Sequence, residues 1–429
     1  MVTASGITLQ EWETRSADTE TILADRRLTP EAQAVAKSLS KANMLRVSEL
    51  RSGLSIQSYS HVGKVRLGDF EVTVVPKLPQ PSLLNLLRYA YGFRQLRLFS
   101  SATQSLEETG FADLLVSQLN AEVGELIARG LHRNYLSQRD YLASPRGRID
   151  IQQIAADGGL IQARLPCHYH SRVEDTLLNR VLLAGLKMAA GLASDLHLRR
   201  DALRLAATFA DTVQVIVITS AVLAQLSNSL NRLTTSYEPA IRLIQLLSES
   251  QGVALEDAAT TGNLPGFLFD MNRFFQALLS RFLHDHLDRY VIKDEYRMTD
   301  MMRYLPGFNP RNRHSPALRP DFVLLQGHRI RAILDAKYRD LWERSLPNNM
   351  LYQLTIYATT HPQHVATILY PTVERRATES RIALREPIYG TEIGQVQLRP
   401  VVLPLLEALI NERSAGEKAS YANWLAFGQ

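Results

Sequence analysis

Two aspartates and a lysine in the last third of the chain have the types and spacing that suit metal-assisted hydrolysis of a phosphate ester. Asp321 opens an apolar run that ends at Leu325, and Asp335 and Lys337 close a second run that follows the polar Gln326-Gly327-His328. Two short apolar runs separated by a few polar residues predict a β-hairpin. The three charged residues would then lie together at the open end of that hairpin.

The register of the hairpin decides whether the charged side chains share a face. If the three polar residues form the loop, Asp321 lies opposite Ile333. Because side chains alternate between faces, Asp335 and Lys337 then project from the same face as Asp321. The two aspartates become diagonal neighbours with Cα atoms about 7–8 Å apart. A register change of one residue would place Asp321 on the other face.

Two carboxylates at this separation suit one magnesium ion. Oxygen ligands bind Mg²⁺ at roughly 2.0–2.1 Å, and the ion offsets the repulsion between two anions on apolar strands. Mn²⁺ is a candidate substitute. Lys337 is expected to orient or deprotonate the attacking water and to stabilise charge on the phosphate. Taken alone, a Pro-Asp pair is typical of a turn and Asp-Ala-Lys of a solvated strand end, so the combination carries the prediction.

The surrounding patterns predict the elements that position this site. A helical run, a short β-prone run, the hairpin, a second helix and a further strand follow one another. This order predicts an α/β (α+β overall) fold with a central mixed β-sheet flanked by helices. The runs are 269–283, 290–292, 322–334, 347–360 and 365–370.

A chain of 429 residues exceeds what one hydrophobic core usually serves, so two or three domains are expected. Three β-prone runs, at 54–59, 61–67 and 70–75, predict a small N-terminal β-rich domain. The middle of the chain has mainly helical periodicity, and the aperiodic stretch 251–265 is interpreted as the entry to the last domain. The predicted domains are 1–80, 81–262 and 263–429.

Composition indicates a folded protein of the cytoplasm. Hydrophobic residues make up 45% of the chain, charged residues 21%, and the formal charge is +5. There is one cysteine, and we expect neither a secretory signal nor a membrane span. Five arginines of the middle region suit a contact with DNA or a partner protein, or simply a solvated basic face: Arg129, Arg133, Arg139, Arg146 and Arg148.

Two other candidate sites lack required residues. Cys167, His168 and His170 lie close together, but no second cysteine pair completes a zinc site, which favours solvated loop residues. Gly63-Lys64 is not followed by Ser or Thr and has no glycine five positions earlier, so it is not a nucleotide-binding P-loop. The chain is therefore not expected to hydrolyse nucleotides.

Several separated stretches resemble McrC, the nuclease subunit of McrBC-type modification-dependent (5-methylcytosine) restriction systems. The resemblance spans roughly 55–405 and depends on the shared order of motifs. They are Ser60–Val65 with Val72–Leu78, Gly130-Leu131 with Tyr135, Pro145–Asp150, Leu268–Phe275, Pro320-Asp321 and Asp335–Lys337. The resemblance implies a C-terminal nuclease domain of the PD-(D/E)XK type. It also implies that the chain is an endodeoxyribonuclease similar to those of type IV restriction systems.

Resemblance to known nuclease families implies three further candidate site residues. Gln353 and Tyr357 share a helical face and are similar to the Gln-x-x-x-Tyr element that lines the site in nuclease domains of the RecB group. Gln276 stands where the family usually has a glutamate that assists metal binding. An amide oxygen can still bind the metal or a metal-bound water, but without charge, so weaker Mg²⁺ binding is expected.

The resemblance also implies partners. These are double-stranded DNA that carries a modification and a hexameric AAA+ GTPase ring resembling McrB, which recognises modified DNA and translocates. The N-terminal part of an McrC-like chain docks in the ring and stimulates GTP hydrolysis. Two alternatives stay open. One is a RecB-like nuclease of another defence or repair system, and the other is a non-catalytic adaptor that activates a ring NTPase.

Overall fold

A computed structural model describes residues 5–93, 110–159, 163–232, 234–251, 266–299, 301–412 and 414–428. Within these residues, the chain forms two compact units. The first consists of the residues up to 93 and from 266 onward, and the second of 110–251. No helix in these ranges is both long and apolar enough to cross a membrane. The predicted entry segment was 251–265; Gln251 ends a helix, and 252–265 lie outside the described residues.

The described strands, in chain order, are β1 Ser5–Gln10, β2 Thr14–Ser16, β3 Leu45–Leu50, β4 Gly53–Ser58, β5 His61–Leu67, β6 Phe70–Val75, β7 Asn134–Leu142, β8 Arg148–Ile149, β9 Leu165–Val173, β10 Gly266–Asp270, β11 Val291–Asp294, β12 Phe322–Gln326, β13 Arg329–Ala336, β14 Val365–Thr372, β15 Ser380–Arg385 and β16 Glu392–Val402. The helices are α1 Pro30–Lys41, α2 Gln80–Tyr91, α3 Phe111–Arg129, α4 Ile151–Ala156, α5 Leu177–Leu192, α6 Leu196–Ala207, α7 Ser220–Ser229, α8 Glu238–Gln251, α9 Met271–His286, α10 Asn348–Thr360, α11 Leu403–Asn411 and α12 Ala415–Phe427. This mixture of helices and strands confirms the predicted fold class.

The C-terminal part of the first unit contains a 6-stranded mixed sheet in the order β11-β12-β13-β14-β16-β15. Strands β13, β14 and β16 run parallel, while β11, β12 and β15 pair antiparallel with their neighbours. The predicted central mixed sheet is therefore present. Helices α9 and α10 both pack against β13. From Ala332 to Ala336 every residue of β13 is buried, as expected of a central strand covered on both faces.

The N-terminal part of the same unit contains a 4-stranded sheet in the order β1-β6-β5-β10 and a 3-stranded sheet in the order β2-β4-β3. The predicted strands of this region are present. Its edge strand β10 comes from the C-terminal third, where we expected the beginning of a helix from Phe269. Residues 1–80 therefore share a sheet with that third, although the predicted domain borders themselves stay a prediction.

Gly63 explains part of the motif around β5. A Cβ atom at this position would lie 2.1 Å from the carbonyl oxygen of Phe267, and the residue has φ +134°. Only glycine permits the backbone of β10 to approach this closely. The Gly63-Lys64 pair thus has a structural role in the sheet.

The second unit is mainly helical, as expected, but it also carries an antiparallel ribbon that the sequence patterns did not indicate. Strands β7 and β9 pair over nine residues each. Cys167, His168 and His170 all lie in β9, so their assignment to a loop was wrong. Cys167 is buried, and His168 Nε2 lies 2.8 Å from a carboxylate oxygen of Asp150.

Candidate active site

The β12–β13 hairpin brings the two aspartates to the same face by a register that differs from the predicted one. Gln326 pairs with Arg329, so the loop has two residues rather than three, and a β-bulge shifts the register between Leu324 and Leu325. Beyond the bulge, Phe322 pairs with Leu334, and this register places Asp321 opposite Asp335. The loop and the bulge each shift the pairing by one residue. Their combined shift of two restores the face that a single shift would have lost.

Asp321, Asp335 and Lys337 form one charged cluster at the end of this hairpin. Lys337 Nζ lies 2.7 Å from Asp335 Oδ2 and 3.9 Å from Asp321 Oδ2. Asp321 Oδ2 also accepts a hydrogen bond of 2.7 Å from the backbone N–H of Ala336. The side chain of Asp335 is 2% exposed, whereas those of Asp321 and Lys337 are 18% and 25% exposed. One cation thus faces two carboxylates in a partly closed site.

Helix α9 places Gln276 in the same cluster. The helix begins at an N-cap, Asp270, whose side chain accepts a hydrogen bond from the backbone N–H of Asn272. Its apolar stripe, which includes Phe274 and Phe275, is buried. Gln276 Nε2 donates a hydrogen bond of 3.2 Å to Asp321 Oδ1. An amide therefore occupies a position from which a carboxylate could reach the ion.

Helix α10 contributes Gln353 and Tyr357. Gln353 Nε2 donates a hydrogen bond of 2.7 Å to the Tyr357 hydroxyl, as the i, i+4 spacing permits. Burial raises the pKa of Tyr357, and the nearby charge of Asp335 raises it further. The tyrosine thus lies within electrostatic reach of the charged cluster, and the pair forms part of its wall.

The electrostatics of the cluster disfavour ionisation of both carboxyl groups in the absence of a bound metal ion. Burial, followed by the charge of Asp335, raises the pKa of Asp321 to about 6. Burial also raises the pKa of Asp335, although Lys337 acts in the opposite direction. Burial alone would lower the pKa of Lys337, but the two carboxylates outweigh that effect and raise it. A second cation would therefore stabilise the ionised site.

The donor set fits a hard divalent cation. Asp335 Oδ1 is buried and accepts no hydrogen bond, so this oxygen has an unused lone pair inside the cluster. Buried carboxylate oxygens normally have a partner, and a bound cation would provide one here. Carboxylate oxygens and an amide oxygen are ligands that Mg²⁺ accepts. Across the described ranges, no group of three or more His, Cys, Asp or Glu side chains is placed to hold a metal.

Glu295 was not predicted as a neighbour of the site. It follows β11, and its backbone N–H donates a hydrogen bond of 2.8 Å to the carbonyl oxygen of Asp321. Its charge contributes to the raised pKa of Asp321, and its side chain pairs with Arg319. The acidic pair Asp294-Glu295 at the end of a β-prone run was the available signal.

Mg²⁺ affinity is expected to depend on pH, with the change centred on Asp321. A carboxylate must lose its proton to bind the ion. Because the pKa of Asp321 is about 6 without metal and the pKa of Asp335 is also raised, half-saturating Mg²⁺ should rise by at least about tenfold per pH unit below pH 6. The same raised pKa predicts that metal-free stability falls as pH rises from about 4 to 6. Calorimetric titration between pH 5 and 8 measures the first effect; a pH-independent affinity would contradict it.

Gln276→Glu is expected to tighten Mg²⁺ binding and to lower the melting temperature of the metal-free chain. The new carboxylate would add a charged ligand, but it would also replace the amide donor beside Asp321 by a repelling anion. Thermal melting with and without Mg²⁺ separates the two effects. The control is Gln326→Glu at the hairpin turn, which should change neither. An unchanged Mg²⁺ requirement in Gln276→Glu would remove Gln276 from the site.

A match to a family model shows which family the chain belongs to. The family model described as McrBC 5-methylcytosine restriction system component matches residues 56–371. The chain belongs to the McrBC family. The matched range includes the β12–β13 hairpin, Gln276 and α10, so every residue of the cluster lies inside the McrBC homology region. The resemblance to McrC that the motif order indicated is thereby confirmed.

One solved structure has a similar fold, and a second gives a weaker match. The first is the refined half-complex from the tetradecameric assembly of Thermococcus gammatolerans McrB AAA+ hexamers with bound McrC. A chain of that structure matches with a TM-score of 0.61 and 17% sequence identity, and the match covers 97% of this chain and 99% of that chain. A chain of the cryo-EM Thermococcus gammatolerans McrBC complex has a TM-score of 0.47 and 19% identity, covering 67% and 89%. No curated protein matches this McrBC family member.

Proposed function

We propose that this chain is the Mg²⁺-dependent DNA endonuclease subunit of a modification-dependent restriction system. The observation that carries the proposal is the cluster of a buried carboxylate, a partly buried carboxylate and a lysine, in which Asp335 Oδ1 is buried without a partner. Asp321, Asp335 and Gln276 would hold the ion, which would supply a Lewis acid and an activated water. Lys337 then stabilises charge on the scissile phosphate, and Gln353 with Tyr357 shapes the wall.

Membership of the McrBC family supports the choice of substrate and partner. We infer that the DNA carries 5-methylcytosine and that a ring of AAA+ GTPase subunits delivers it. Hydrolysis of GTP is assigned to the ring, because β5 contains a strand glycine at Gly63 and no phosphate-binding loop.

Docking of the N-terminal part in the ring is part of the proposal. Deleting residues 1–80 is not a clean test, because β5 pairs with β10 and the deletion would break that sheet. Charge reversal at Arg46, on the exposed side of β3, leaves the sheet intact. We expect this change to reduce stimulation of the ring GTPase while the Mg²⁺ affinity of the isolated chain stays the same.

Cleavage of methylated and unmethylated plasmid tests the proposed function. The chain is assayed with and without an McrB-like ring GTPase, in the presence of GTP and either Mg²⁺ or EDTA. We expect cutting of methylated plasmid by the complete complex with Mg²⁺. GTPase stimulation without any cutting would favour a non-catalytic adaptor, which the uncharged Gln276 would suit. Cutting that needs neither the ring nor methylation would favour a RecB-like nuclease of another system.

A further inference from the structure

The position of Lys337 depends on a segment that leaves the sheet directly after it. Strand β13 ends at Ala336, and the backbone N–H of Lys337 donates a hydrogen bond of 3.0 Å to the carbonyl oxygen of Leu369 on β14. Residues 338–343, here called the exit segment, follow at once and pair with no strand. Contacts that hold the exit segment therefore constrain the lysine together with its backbone hydrogen bond to Leu369.

Residues from the beginning of the chain hold the exit segment. Trp12 Nε1 donates a hydrogen bond of 3.1 Å to the carbonyl oxygen of Tyr338. The hydroxyl of Tyr338 donates one of 3.2 Å to Glu11 Oε1, and Lys77 Nζ forms an ion pair of 2.8 Å with Glu343. We call Glu11, Trp12 and Lys77 the N-terminal clamp.

Residues of the clamp hydrogen-bond to one another, and Tyr338 is buried against them. Glu11 Oε1 also accepts a hydrogen bond of 3.3 Å from the backbone N–H of Lys77. Tyr338 is 4% exposed, and its ring packs edge-on against Phe275 of α9 with centroids 5.9 Å apart. The residue after Phe275 is Gln276, so one buried tyrosine touches the clamp and the helix that carries a proposed ligand.

The backbone of Trp12 provides a second, independent observation. It has φ +61°, in the left-handed region that bulky side chains rarely adopt. Such outliers persist only where the surroundings over-determine them, and they are concentrated at functional sites. The indole packs edge-on against Tyr59 with centroids 5.9 Å apart, and the guanidinium of Arg339 lies 5.3 Å from its ring centroid. The strained turn thus presents the indole N–H to the exit segment.

We propose that Trp12, supported by Glu11 and Lys77, is a positioning residue that holds Lys337 against Asp335 for DNA cleavage. This inference rests on the proposed nuclease function. It assigns Lys77, part of the Pro76-Lys77 motif, to the alignment of a site 260 positions further along the chain. Displacing a catalytic group by about 1 Å can cost about 100-fold in rate, so a loosened exit segment should be visible in cleavage.

Trp12→Phe tests the clamp because it keeps an aromatic ring and removes the donor. In complex with the ring, we expect cleavage to fall by about tenfold or more, with unchanged half-saturating Mg²⁺ and unchanged GTPase stimulation. A merely structural role would instead lower the melting temperature and Mg²⁺ affinity together. The matched control is Trp342→Phe, since that indole lies on the exit segment and is 43% exposed.

Lys77 gives a second variant in case Trp12→Phe folds poorly. Lys77→Met should reduce cleavage in the same way, and Lys77→Arg should restore most of it by keeping the ion pair with Glu343. Hydrogen exchange of the peptide 336–343 in the full chain needs no catalysis. We expect faster exchange in Trp12→Phe and Lys77→Met than in wild type and Trp342→Phe.

The outcomes separate the two proposals. If wild type does not cut, or if Asp335→Asn cuts as well as wild type, the nuclease function fails and the assigned role of Trp12 fails with it. If wild type cuts and Trp12→Phe cuts like Trp342→Phe, the positioning role alone is overturned. Exchange of 336–343 that is the same in all variants overturns the clamp regardless of cleavage.

Discussion

Asp335→Asn is expected to reduce DNA cleavage by about 10³-fold and to abolish the thermal stabilisation by Mg²⁺ that we expect of the wild-type chain. The substitution keeps the size of a side chain that is 2% exposed, so the change is chiefly one of charge. It removes the negative charge that the ion would neutralise and that Lys337 contacts at 2.7 Å. Cleavage by the ring complex and melting curves with and without Mg²⁺ measure the two losses.

The matched control for this change is Asp294→Asn on β11. Asp294 belongs to the same sheet, and its side chain is 43% exposed and contacts Ser280 and His284 instead of the cluster. We expect cleavage near the wild-type rate. GTPase stimulation should survive in both variants, because that role is assigned elsewhere. Equal cleavage by Asp335→Asn and Asp294→Asn would show that the cluster does not cut DNA.

Lys337→Ala is expected to separate metal binding from cleavage. The lysine is not a proposed ligand, so Mg²⁺ should still bind, and removal of its positive charge should tighten binding at pH 8. Cleavage should fall by at least about 100-fold, because the phosphate loses its stabilising cation. Calorimetry and single-turnover cleavage provide the two readings.

Lys293→Ala on β11 controls for the loss of a lysine from this sheet, since that side chain lies on an exposed position. It should leave both readings unchanged. A Lys337→Ala chain that cuts normally would exclude Lys337 from the chemistry. One that loses Mg²⁺ binding as well would show that the lysine organises the carboxylates and does not act on the phosphate.

The charge cluster could be predicted from the sequence because strand alternation constrains it strongly. Asp335 lies on β13 and Lys337 follows the end of that strand, two positions further on, so extended backbone keeps both on one face in any register. Asp321 lies on the predicted face, but in a register that differs from the predicted one. The loop is one residue shorter than predicted, and the bulge adds a second one-residue shift that returns Asp321 to that face. A bulge depends on backbone pairing and leaves no periodic signal in the side chains.

The features that the sequence did not indicate depend on distant or exposed partners. Strand β10 was expected to begin a helix, but its short apolar run pairs with β5, about 200 positions earlier. The β7–β9 ribbon lacks a continuous buried face, so it shows no clear alternation. The contact between Trp12 and Tyr338 joins residues 326 positions apart, which no local pattern could reveal.

The central claim, that the Asp335 carboxylate holds the ion required for DNA cleavage, is tested most directly by a metal-specificity switch. Asp335→Cys replaces a hard oxygen ligand by a thiolate, which prefers softer cations to Mg²⁺. The natural chain has one cysteine, Cys167, and it is buried in the second unit, so the new thiolate is distinct from it. Cleavage of methylated plasmid by the ring complex is measured at equal concentrations of Mg²⁺ and Cd²⁺. We predict that Asp335→Cys is inactive with Mg²⁺ and regains cleavage with Cd²⁺, while wild type prefers Mg²⁺. Cleavage by Asp335→Cys at the wild-type rate with Mg²⁺, without any gain from Cd²⁺, would contradict the assignment.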